Sequence, residues 1–270
     1  MIRATPYDKI YKTVYGAYMI HIPKMQPQVT FSQDTIKAYL GTEIAMPKVA
    51  IGDGAGNNIT SNYTVAVEAK ATSGSTAPDG TLFSYVDNTK QQIIRLKSEG
   101  SFAFHYTFTP TNATKFNSYQ QDVPVTIIKP SGIIPTTTSF AHEEHAIKLT
   151  DTQVKLDTAI VRDDLGNDVT SCFLIYLPKK SDPNNICGNI WTSSNRANDW
   201  TMQTNGTVQG TVVFDVEATP YKGWKDNYYY DYSTIFTGSS TTLSYSTATR
   251  HARLIVSPNT FTTYINGYID

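Results

Sequence analysis

The chain has 270 residues, 40% of them hydrophobic, and its 22 Lys and Arg against 23 Asp and Glu leave a formal charge of −1. That length admits one to three domains, and so even a balance supplies no global field to draw the chain onto nucleic acid or an anionic membrane. No apolar run approaches the roughly 18 residues of a helical membrane span, and the N-terminus lacks the pattern of a secretory leader, so Met1-Ile2-Arg3 reads either as a cytoplasmic start or as the start of a trimmed fragment with an added Met.

Residues 1–27 come first and belong to neither repeat, although their apolar stretch resembles those ending at Pro130 and Pro258. Arg3, Lys9, Lys12 and Lys24 stand against Asp8, with Tyr7, Tyr11, Tyr15 and Tyr18 between them. The apolar stretch Tyr18-Met19-Ile20-His21-Ile22-Pro23 has the character of a strand. Three readings stay open: an arm that adds a strand to a neighbouring sheet, the remnant of an upstream domain, or a strand folded back on the first domain. On the first reading Tyr11, Tyr15 and Tyr18 are partner contacts.

Residues 48–67 and 158–177 say the same thing 110 residues apart. Each is an apolar run, a turn of Gly, Asn and Asp that tolerates positive φ, and then an alternating strand. Ile59, Tyr63, Val65 and Val67 fall on Val169, Phe173, Ile175 and Leu177. Further along, Gly100 falls on Gly210, and Phe102, Phe104, Tyr106 and Thr109-Pro110 fall on Val212, Phe214, Val216 and Thr219-Pro220. A fixed period of this kind marks two copies of one domain. The first is expected over residues 28–132, with strands at 35–40, 43–51, 59–69, 82–86, 91–97, 101–109 and 122–129. The second is expected over 133–258. Short strands separated by turn signals, with no sustained helical period, predict an all-β chain of two tandem sandwiches.

The closing strand of the first copy, Val125-Thr126-Ile127-Ile128-Lys129-Pro130, matches Arg253-Leu254-Ile255-Val256-Ser257-Pro258 at an offset of 128. This match assigns the second copy 18 extra residues, within an aromatic insertion at about 221–245. Trp224, Tyr228, Tyr229, Tyr230, Tyr232 and Phe236 crowd there beside Lys222, Lys225, Asp226 and Asp231. Large rigid rings with polar tips dominate binding hot spots, so these six are the expected partner-binding residues. Residues 259–270 form a C-terminal tail carrying Phe261, Tyr264, Ile265 and Tyr268, which is expected to dock on its own chain or a partner.

Catalytic and metal chemistry find little support. His142-Glu143-Glu144-His145 is not the H-E-x-x-H zinc signature, and in a strand its two His would point to opposite faces. Asp53, Asp163, Asp164 and Asp168 cluster at the repeated turns, where turn chemistry accounts for them without calcium. No nucleophile elbow, phosphate loop or dinucleotide fingerprint occurs. Cys172 reads as a small core residue rather than half of a disulfide with Cys187. The reading is a non-enzyme with no cofactor and no metal.

An apolar strand, a G-x-N or G-N-D hairpin, a Gly turn into a long aromatic strand and a final strand ending in Pro resemble tandem bacterial and phage immunoglobulin-like domains over about residues 28–258. The resemblance implies a structural component of a tailed-phage virion, such as a capsid decoration or head-attached auxiliary protein, contacting other virion proteins or copies of itself. Its alternative is a bacterial cell-surface adhesin or a carbohydrate-binding module. It transfers no catalytic residue.

Overall fold

The computed structural model describes residues 2–4, 14–16, 23–71, 81–86, 92–142, 144–148, 150–193, 198–205, 208–225 and 228–247. These form strands and three single-turn 3-10 helices, and none of the described helices is long and apolar enough to cross a membrane. The chain divides at Lys129–Pro130 into two compact units. Each is an immunoglobulin-like β-sandwich.

In unit 1, β1 (Ile2–Ala4) and β2 (Val14–Gly16) pair antiparallel, setting Arg3 opposite Tyr15. The expected arm strand at 18–22, with Tyr18, and also Tyr11 lie outside the described residues. The sandwich runs through β3 (Gln28–Phe31), β4 (Ile36–Tyr39), β5 (Glu43–Ala45), β6 (Val49–Gly52), β7 (Tyr63–Ala71), β8 (Phe83–Tyr85), β9 (Ile93–Leu96), β10 (Gly100–Pro110) and β11 (Tyr119–Ile128). One sheet has the order β4-β11-β10-β7, with β4 parallel to β11. Across from it lie β3-β6 and β5-β9-β8. The strand expected at 43–51 is split in two: Pro47 has no N–H to give a ladder, and there the chain changes partner from β9 to β3.

The core of unit 1 is aromatic because β10 alternates. Phe102, Phe104, Tyr106 and Phe108 all point inward and are buried. Phe102 stacks on Phe83 of β8 with ring centroids 4.8 Å apart, and Tyr106 meets Phe31 of β3 edge-on at 4.8 Å. Such ring pairs each add about 0.5–1.5 kcal/mol beyond the area they bury, and here they tie one sheet to the other.

Unit 2 repeats the plan with β12 (Thr136–Ser139), β13 (Glu144–Ile147), β14 (Gln153–Lys155), β15 (Ile160–Asp163), β16 (Phe173–Tyr176), β17 (Lys179–Ser181), β18 (Cys187–Trp191), β19 (Thr201–Thr204) and β20 (Thr211–Pro220). It then adds β21 (Lys222–Lys225) and β22 (Tyr228–Asp231) before β23 (Ser239–Thr247). Its sheets are β13-β23-β20-β16, with β17 also beside β20, facing β12-β15 and β14-β19-β18. Val212, Phe214, Val216 and Ala218 take the inward positions of β20. Cys172 is fully buried and forms no disulfide.

Gly100 and Gly210 hold the repeat together at φ +154° and +155°. A Cβ there would come within 2.9 Å of Leu82 in unit 1 and 2.6 Å of Asn184 in unit 2. The backbone angle favours glycine at both positions, and a Cβ there would also push aside the ends of these two side chains.

The closing strand of unit 2 is not where the sequence match puts it. β23 pairs antiparallel with β20 and parallel with β13, as β11 does with β10 and β4. Phe104 faces Val123 in unit 1 and Phe214 faces Leu243 in unit 2, so the offset there is 120, not 128. The stretch 253–258 lies outside the described residues, as does the tail at 259–270. Against the offset of 110 on β20, the inserted length is ten residues instead of 18. Those ten are 222–231, the β21–β22 hairpin.

Candidate binding surface

The hairpin grows from a closed base. Tyr221 N–H donates to the Cys172 carbonyl at 2.8 Å, just as Thr111 N–H donates to Asn62 in unit 1 at 2.9 Å. Eleven residues later, Tyr232 N–H donates to the Tyr221 carbonyl at 3.0 Å and the sandwich resumes. The Tyr221 hydroxyl donates to the Trp224 carbonyl at 2.7 Å, and its ring lies so near Gly223 that a Cβ there would sit 2.9 Å from the phenol oxygen. Tyr221 itself is buried, so the ribbon is braced on the body of the domain.

Alternation then sorts the ribbon's side chains. Lys222 faces Asp231 and Trp224 faces Tyr229 across the two strands, so these four share one face. Lys222 Nζ lies 2.7 Å from Asp231 Oδ2; this contact raises the lysine above its ordinary range and lowers the carboxyl below its own. The Trp224 and Tyr229 rings meet edge-on at 5.7 Å. Trp224 is 67% exposed, Tyr228 67% and Tyr229 52%.

The six expected contact residues therefore divide. Trp224, Tyr228 and Tyr229 stand in solvent, and Tyr230 is half-buried, stacked on Tyr232 at 5.6 Å. Tyr232 and Phe236 are core: they are 3% and 2% exposed, and Phe236 packs on Phe173 at 5.5 Å. The reason is visible in unit 1, where Phe116 sits in the same place against Tyr63 at 5.8 Å. Both Phe residues also receive a bridging segment, from Met25 in unit 1 and from Ile134 in unit 2.

The acidic turns serve their own loops. Asp53 accepts from the N–H groups of Ala55 (2.8 Å) and Asn57 (3.0 Å) and from the Asn57 side chain (2.7 Å). Asp163 repeats this with Leu165 (3.0 Å), Asn167 (2.8 Å) and the Asn167 amide (2.8 Å). Thr60 and Thr170 complete the motif, their hydroxyls accepting from the N–H groups of Ile51 and Val161. In exposed Asp53 the bonds, led by the Asn57 side chain, lower the carboxyl pKa; in Asp163 burial outweighs the same bonds and raises it. Among the described residues no three His, Cys, Asp or Glu form a group that could hold a metal.

His142 and His145 are not on opposite faces. His142 precedes β13, and both imidazoles approach Asp157, at 3.7 and 3.5 Å from Oδ2. His145 lies flat on the Tyr245 ring at 4.7 Å and bonds the His142 carbonyl at 3.0 Å. The cluster fastens the start of β13 to the segment after β14.

No protein-family model and no curated protein matches the chain. Among solved structures it is similar to domains 5-6 of the S-layer protein SbsC, at 14% identity over 82% of this chain and 98% of that one, with a TM-score of 0.42. It is similar to human mucin-like protocadherin EC1-2 at 11% identity, covering 81% of this chain and 96% of that one, with a TM-score of 0.27. A third is a SusE-like surface located polysaccharide binding protein from the Bacteroides thetaiotaomicron heparin utilisation locus, at 14% identity over 82% of this chain and a TM-score of 0.26. The chain spans 34% of that last protein's length.

Sequence reasoning places Tyr221 at the head of the aromatic cluster but misses its role as the buried brace under the ribbon. Its signal was present: it follows the matched pair Thr219-Pro220 at the offset of 110, and so occupies the place of Thr111.

Proposed function

We propose that this chain is a non-enzymatic structural protein that attaches to a neighbouring protein of an assembly through the hairpin of unit 2, in a tailed-phage virion, as a capsid decoration or head-attached protein. One observation carries the reading: Trp224, Tyr228 and Tyr229 are held in solvent on a braced ribbon, although the domain beneath them has an apolar core. The ribbon occupies the connection between the last two strands of the sandwich, and in antibody variable domains that loop carries recognition. Rigid aromatic contact area is what protein hot spots use. Tyr11, Tyr15 and Tyr18 of the N-terminal arm belong to the same proposal as a second point of attachment.

The test is occupancy on heads assembled without this chain. Purified wild-type protein should bind, and the double variant Trp224→Ala, Tyr229→Ala should lose about 2 kcal/mol or more per true hot spot with its folding intact. Full occupancy by the double variant would overturn the reading.

A second reading is favoured by the face on which the Trp224–Tyr229 ring pair adjoins the Lys222–Asp231 ion pair. A ring platform beside a carboxylate and an ammonium suits a sugar ring on a cell surface. Binding on a glycan array, lost in the same double variant and absent toward phage heads, would select it.

A further inference from the structure

The two units treat the same sheet edge in opposite ways. In unit 2 the outer strand beside β20 is broken: β16 has four residues, Pro178 follows, and β17 resumes with a register shift between Lys179 and Ser181. Short strands, a proline, an irregular ladder and lysines are the devices by which sheet edges are blunted against pairing with another chain. In unit 1 the corresponding strand, β7, runs nine residues as Tyr-Thr-Val-Ala-Val-Glu-Ala-Lys-Ala and pairs in unbroken register with β10. It is the longest edge strand among the described residues, and it contains no proline and no bulge. Its two charges, Glu68 and Lys70, sit 3.4 Å apart and compensate each other.

The inward face of β7 is also less covered. Val65, Val67 and Ala69 lie opposite Phe108, Tyr106 and Phe104, so they share the core side of the sheet. Yet Val65 is 37% exposed and the other two are half-buried, whereas Ile175 and Leu177, their counterparts in unit 2, are 8% and 5% exposed.

We propose that β7 is a pairing edge, and that its occupant is β7 of a second copy of this chain, antiparallel about a twofold axis, joining two four-stranded sheets into one of eight. The strand is its own complement. An axis at Glu68 or at Lys70 would set like charges directly opposite, which destabilises a pair. An axis at Val67 avoids this and matches all nine residues: Val67 meets Val67, Val65 meets Ala69, Thr64 meets Lys70 and Ala66 meets Glu68. The exposed apolar row is thereby covered by its own image, as expected of an isologous contact.

The test uses the full chain. Sedimentation equilibrium should give twice the monomer mass. Val65→Lys, checked by circular dichroism to be folded, should weaken association about tenfold or more by placing an ammonium in the joint. Tyr176→Lys, on the blunted edge of unit 2, should leave the mass unchanged. Val67→Cys should be joined to its image by a short bifunctional thiol reagent, because directly opposed residues carry Cβ atoms about 4.5–5.5 Å apart, at or just beyond the reach of a direct disulfide. A wild-type chain that stays monomeric, or a dimer that survives Val65→Lys and gives no Val67→Cys link, overturns the proposal. So does a monomer whose β7 takes up a strand from an unrelated protein.

Discussion

Unit 1 lines its longest strand with buried rings, whereas unit 2 buries some rings and displays others. On β10 four aromatic residues alternate into the core, while the matching inward positions of β20 hold Val212, Phe214, Val216 and Ala218. Unit 2 instead carries Trp224, Tyr228 and Tyr229 on the outside. One topology thus supports two uses of the same chemistry, because ring area stabilises a core when it is covered on both sides and serves recognition when a rigid strand pair keeps it out.

The largest effects test the buried half. Phe102→Ala should cost about 3–5 kcal/mol, against about 2 kcal/mol for Val212→Ala at the matching place, read separately by native-state hydrogen exchange on β10 and β20. Equal costs would mean that unit 1 gains nothing special from its stacked rings. Within the insertion, Tyr232→Ala should also cost about 3–5 kcal/mol, whereas Trp224→Ala should stay within about 0.5 kcal/mol. Chemical denaturation of both variants would reveal a Trp224 that is structural after all.

A smaller contrast lies in the turns. Asp163→Ala strands three donors in a buried loop, at about 1–3 kcal/mol, while water can reach the donors around exposed Asp53, so Asp53→Ala should cost less. Their pH dependences run in opposite directions. The folded pKa of Asp53 lies below the ordinary 3.8, so its contribution is present above that value and is lost as pH falls through the folded one. The folded pKa of Asp163 lies above 3.8, so its contribution is present below 3.8 and is lost as pH rises through the folded value. Melting curves of Asp53→Asn and Asp163→Asn across the acidic range should each flatten one of these slopes. Last comes a null effect: EDTA should leave the melting temperature unchanged, since the turn carboxylates already accept from their own loops.

The repeat was legible because its signals are local. Asp53 and Asn57, Thr60, Gly100 and the alternation of Phe102 to Phe108 each leave a mark within a few residues, and all recur 110 positions on. The closing strand was not, because Ser239–Thr247 offers only Leu243 and Tyr245 as buried apolar residues, and Arg253 to Pro258 looks more like β11 than β23 does. What identifies β23 is its pairing with β13 and β20, which no short window records. The same holds for Tyr232 and Phe236: composition groups them with Trp224, and only their burial, with Phe236 on Phe173 as Phe116 is on Tyr63, puts them in the core.

The closed base of the hairpin has a consequence for how such a domain changes over time. Tyr221 and Tyr232 are joined by a hydrogen bond and stand where Thr111 and Asn112 are consecutive in unit 1, so the ten residues between them form a cassette with both ends already together. Such a cassette can be shortened, replaced or exchanged for another sequence without disturbing a single pair in the sheets of the sandwich. A lineage under pressure to change its partner could therefore vary the tip while inheriting the handle intact, and a designer could do the same by splicing between Tyr221 and Tyr232.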